Sequence, residues 1–174
     1  MDEQKVKYSE SGQGVATLSD IRKNAMRRIL SEVVNDAWEV QEEGNIIRAI
    51  YKDAYDLTEI QVEDTEQKFY VSVRIARTDE EIIAPESCHD CDPECEFWCE
   101  DGCLRDKAAD EEISEYLAQP TREVGILRIT PIIWEEKCYL DIPHYHYYKG
   151  FAVTAECGFI EQIKAVILFA LYCL

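Results

Sequence analysis

The sequence predicts an α+β fold: a mainly antiparallel sheet flanked by N- and C-terminal helices, with an acidic, cysteine-rich metal-binding element inserted. Three observations in the 174-residue chain carry this expectation. Apolar residues recur every three to four positions from Leu18 to Val40. Strict alternation runs through Phe69, Val71, Val73 and Ile75. Ten consecutive apolar residues, Ala165 to Leu174, close the sequence. Helices at both ends with strands between them fit two layers sharing one core.

Residues 1–16 are polar, carry Gly12 and Gly14, and read as a flexible lead-in. Residues 17–174 read as one domain, with 79–112 as its insertion. A helix capped by Thr17 or Ser19 follows the lead-in. Its stripe is Leu18, Ile21, Ala25, Ile29, Val33, Ala37 and Val40, and Gly44 is its stop. Asn45 to Leu57 fits either a helix capped by Asn45 or a strand. Phe69 to Ala76 is a strand, paired with Ile60 and Val62 across the polar turn Asp64-Thr65-Glu66-Gln67. Asp106 to Ala118 reads as a helix ended by Pro120. Val124 to Trp134 and Lys137 to Ile142 read as two strands around Glu135-Glu136, and Phe151 to Cys157 as another. The apolar tail falls short of the about 20 residues a spanning helix needs, and Glu161, Gln162 and Lys164 interrupt its extension back to Phe159. It is expected to be a buried helix or a homo-oligomer interface, with membrane anchoring as the alternative.

Thirty-six acids against 18 bases give a net charge of −18. Such a surface repels phosphates and anionic headgroups, which argues against direct nucleic-acid and membrane partners. The charge is concentrated. Asp79 to Glu112 holds fourteen acids against Arg105 and Lys107, and five of the eight cysteines. The start, Met1-Asp2-Glu3-Gln4-Lys5, lacks the apolar core of a secretory signal, so a cytoplasmic location is expected. Thiols there stay mostly reduced, which favours metal ligation over disulfides.

The cysteines follow the spacing C-x2-C-x3-C-x3-C-x3-C: Cys88, Cys91, Cys95, Cys99 and Cys103, with His89 as a sixth candidate ligand. Asp92 and Pro93 would start a short helix that sets Cys95 and Cys99 on one face. Gly102 would end it. A C-x2-C turn plus two thiolates four residues apart can close a tetrahedral zinc site, and such a closed site is structural. The six candidates exceed the four that one ion needs, so the ligand set stays open. An iron–sulfur cluster accepts the same thiolates, but the surrounding carboxylates disfavour it. Disulfides or a redox thiol set are the other readings. Cys138, Cys157 and Cys173 sit in apolar contexts and are expected in the core. A calcium loop is disfavoured because the required glycine is missing and Pro93 interrupts the run.

His144 and His146 would project to one side of a strand and could chelate a metal. The carboxylate that completes such a motif is absent after them, so a sheet segment is the simpler expectation. Tyr145, Tyr147 and Tyr148 offer contact area at low entropic cost and read as a partner surface. Arg22, Lys23, Arg27 and Arg28 form the one basic cluster, expected to be solvated or to pair with the acidic block. No phosphate loop, dinucleotide fingerprint, nucleophile elbow or zinc-protease motif occurs.

The preferred expectation is a non-enzymatic binding or inhibitor protein, stabilised by structural zinc. Asp90, Asp92, Glu94, Glu96, Glu100 and Asp101 would imitate nucleic-acid phosphates toward a basic protein, one that itself binds nucleic acid. The alternatives are a metal- or thiol-dependent enzyme using the Cys88–Cys103 cluster and a structural oligomer subunit.

Overall fold

The computed structural model describes residues 16–82, 98–99, 102–138 and 144–174. Helix α1 spans Leu18–Val33. Thr17 caps it: its hydroxyl accepts from the Asp20 amide (3.2 Å), and the Asp20 carboxylate accepts from the Thr17 amide (2.9 Å). The helix stops seven residues short of the expected Val40. Two β-branched residues, Val33 and Val34, meet Asn35, whose side chain accepts from the Ala37 amide (3.0 Å) while its carbonyl accepts from Trp38 (3.1 Å). That local turn competes with the helix.

Val40 therefore belongs to strand β1 (Glu39–Glu43), which pairs antiparallel with β2 (Ile46–Lys52). Gly44, expected as a helix stop, is the hairpin turn, at φ +58°. The ambiguous segment from Asn45 is thus a strand. β3 (Asp56–Asp64) and β4 (Phe69–Glu81) pair as expected, with Ile60 opposite Val73 and Val62 opposite Val71. The short strands β5 (Trp98–Cys99) and β6 (Gly102–Cys103) pair with each other, and α2 covers Leu104–Leu117. β7 (Arg122–Val124) turns through Gly125 (φ +60°) into β8 (Leu127–Cys138). No break occurs at Glu135-Glu136: the pair continues the ladder with β9 (His144–Cys157), and residues 139–142 of the second expected strand lie outside the described residues. α3 (Ile160–Tyr172) follows.

The main sheet has seven strands in the order β1-β2-β3-β4-β9-β8-β7, with every neighbouring pair antiparallel. Its centre joins β4 to β9, so the segments before and after the acidic block build one sheet. Ile47, Ile60, Val62, Val71, Val73 and Val153 are fully buried on one face. Met26, Ile29 and Leu30 of α1, with Ile163, Val166, Ile167 and Ala170 of α3, close that core. The apolar tail is thus a core helix. No helix among the described residues is long and apolar enough to cross a membrane. Cys157 is buried, and burial pushes its thiol above the usual range. Cys173 corrects the expectation: it is exposed, because it caps α3 beyond the last core turn. The opposite face alternates to Arg48, Glu59, Gln61, Ser72, Arg74 and Thr154, all half-buried.

Candidate functional site

Among the candidate ligands, Cys88, His89, Cys91 and Cys95 lie outside the described residues, as do Asp90, Asp92, Glu94, Glu96, Glu100 and Asp101. The backbones of Cys99 and Cys103 are described, and they correct one expectation. Cys99 sits on a strand opposite Gly102, with Trp98 opposite Cys103, so no helix runs through Cys99. The aromatic Trp98 favours extended backbone. Among the described residues, no group of three or more His, Cys, Asp or Glu side chains is placed to hold a metal ion.

The two ends of the acidic block converge on β9. β4 leaves register with β9 after Ala76 and regains it at Glu81, opposite Tyr148. There the Ile82 amide donates to the Tyr147 carbonyl (2.8 Å), and the Glu81 carboxylate meets Nδ1 of His146. On the return, Glu112 of α2 pairs with Lys149 (2.6 Å), and the Tyr116 hydroxyl donates to the Gly150 carbonyl (2.5 Å). The Lys149 ammonium also lies 5.8 Å from the centre of the Tyr116 ring. The hydrogen bond that Lys149 donates to Glu112 holds the Lys149 pKa above its usual value. Burial pushes the Tyr116 phenol up, with Glu80 adding to it and Lys149 opposing. Residues 146–150 of β9 thus hold the entry and the exit of the block. Glu111, Glu112, Glu115, Tyr116, Gln119 and Lys149 line an open cavity of about 740 Å³ beside them, and Asp110, Glu111 and Glu115 are exposed.

The histidine–tyrosine segment is a sheet segment, extended from His144 onward. His146 stacks on Tyr148 (ring centres 6.2 Å apart), and half-buried Tyr148 packs on the small cluster of Leu57, Ala76 and Trp134. Tyr147 is half-buried, and the side chain of Tyr145 lies outside the described residues.

Three members of the basic cluster, Arg22, Lys23 and Arg27, have local partners among the described residues. Arg22 holds Asp64 through two 2.8 Å hydrogen bonds and covers the Phe69 ring at 4.3 Å. Its guanidinium holds the Asp64 carboxyl below the usual carboxylate range. Lys23 donates to the Gly44 carbonyl (3.0 Å), and Arg27 pairs with Glu42 (2.5 Å). These contacts fasten α1 to the two turns at one end of the sheet. Arg74 and Lys52 over Trp134, at 4.8 and 5.9 Å, were not singled out from the sequence. The only available signal was the polar half of each alternating strand. Comparison with protein-family models, curated proteins and solved structures finds no match.

Proposed function

We propose that the protein is a non-enzymatic binding protein of the cytoplasm whose acidic block engages a basic, nucleic-acid-binding protein, with a structural zinc ion closing the Cys88–Cys103 segment. One observation carries the reading: fourteen acids against two bases between Asp79 and Glu112, in a block whose flanks are both fastened to one short stretch of β9. A dense carboxylate surface presented from a fixed base competes with phosphates for the lysines and arginines of a nucleic-acid groove. Exposed Asp110, Glu111 and Glu115 extend that surface along α2. The zinc reading rests on five cysteines within sixteen residues, Cys88 to Cys103. The test is capture by the immobilised protein, followed by elution with duplex nucleic acid. Basic proteins released by nucleic acid at low salt support the reading. Partners that nucleic acid leaves in place overturn it.

A further inference from the structure

The two outer strands of the sheet differ. β7 has three residues and mixed charge, Arg122-Glu123-Val124. β1 has five, Glu39-Val40-Gln41-Glu42-Glu43, every one exposed, and no described strand lies on its outer side. An outer strand offers a row of main-chain donors and acceptors to any extended segment that can lie beside it. Alternation and the pairing with β2 sort its side chains. Val40 and Glu42 share the α1 side with Ala49 and Ile47, and Glu42 is already engaged by Arg27 and Lys23. Glu39, Gln41 and Glu43 share the other side. Beside them lies a cavity of about 210 Å³, lined by Gln41, Glu42, Glu43, Ile46 and Arg48. A second copy of the chain is a poor occupant, because antiparallel pairing of β1 with itself sets glutamate against glutamate. The same charges suit lysine or arginine.

We infer that β1 is a docking edge for an extended, basic segment of a partner protein. The segment adds an eighth strand, with two basic side chains four residues apart opposite Glu39 and Glu43, and an intervening side chain toward the cavity. This rests on the basic-partner reading above and names a surface for it outside the acidic block.

The probe is the capped peptide Thr-Lys-Val-Thr-Val-Lys-Thr, whose lysines fall on one side of a strand. Its control, Thr-Lys-Val-Thr-Lys-Val-Thr, has the same composition and charge but sends its lysines to opposite sides. Titration at low salt is expected to favour the first peptide by about fivefold or more. Methylating its alternate backbone nitrogens should weaken binding by about tenfold. Hydrogen exchange at β1 amides should slow in the complex. The double substitution Glu39→Lys/Glu43→Lys changes exposed side chains only, so folding should be retained by circular dichroism while the preference is lost. Equal affinities for the two peptides, or indifference to methylation, overturn the edge. If the preference fails while captured basic proteins still elute with nucleic acid, the edge falls and the wider reading stands. If the edge passes and nucleic acid releases nothing, the reverse holds.

Discussion

Replacing Gly150 by alanine tests the junction where β4 and β9 hold the acidic block. Gly150 pairs with Ala76, the last residue before β4 leaves register. A Cβ at Gly150 would lie 2.3 Å from the Ile75 carbonyl oxygen and 2.9 Å from the Ala76 Cβ, where ordinary contact begins near 3.4 Å. The nearest obstacle is backbone, so no side chain can swing away. Either the central ladder opens or β9 shifts, and the Tyr116 hydroxyl loses its alignment with the Gly150 carbonyl. Overpacking of this kind costs about 1–3 kcal/mol, and a backbone clash belongs at the upper end. For a chain of this size, about 3 kcal/mol corresponds to a Tm lower by about 6–12 °C. Thermal unfolding followed by circular dichroism measures it. Gly158→Ala is the control: its nearest neighbour is 3.8 Å away, so the expected change is within about 0.5 kcal/mol. An unchanged Tm for Gly150→Ala, or equal losses for both variants, would refute the close approach of β4 and β9.

Three further outcomes are expected. Asp64→Asn should destabilise by about 1 kcal/mol at pH 7 through loss of the Arg22 pair. Because Asp64 titrates lower when folded than its unfolded value of about 3.9, the gap to wild type should be full above that pH and close as pH falls through the folded pKa. A gap still undiminished in denaturant titrations at pH 2 contradicts the pairing. Ile167→Ala, at a fully buried site of α3, should cost about 2–5 kcal/mol in urea unfolding. A loss under about 1 kcal/mol would mean α3 does not close the core. Metal analysis should find about one zinc per chain, with the clustered thiols slow toward alkylation until a chelator is added. No metal, with the thiols paired as disulfides, overturns both the zinc and the compartment readings.

Short-range pattern made much of the fold legible. The alternation at Phe69–Ile75 marked β4, and the unbroken apolar run marked α3 as buried. Sequence pattern and structure part where one pattern serves two elements. Ala37 and Val40 continue the α1 stripe by spacing, but the Asn35 turn ends the helix, and Val40 alternates equally well in a strand. Glu135-Glu136 resembles a break because consecutive charges also mark turns. Yet Glu136 accepts from the Trp134 indole and pairs with Lys52 (2.8 Å), so the strand runs on through it. The candidate site was legible as composition, in the density of acids and cysteines. Its anchoring was not: Glu81 meets His146 only because β4 and β9 are neighbours at the centre of the sheet, and Glu112 meets Lys149 only because α2 returns against β9, where Tyr116 holds the Gly150 carbonyl.

In the proposed complex, carboxylates of the acidic block and of the adjoining α2 contact the basic partner. The measurement is the affinity for a captured partner across a salt series, for the wild type and for Asp110→Asn/Glu111→Gln/Glu115→Gln, which removes three charges from exposed positions of α2. Binding by the wild type should weaken steeply as ionic strength rises. The triple variant should bind more weakly at low salt and show a shallower slope, with its Tm unchanged. Identical affinities and slopes for the two proteins would contradict that contact.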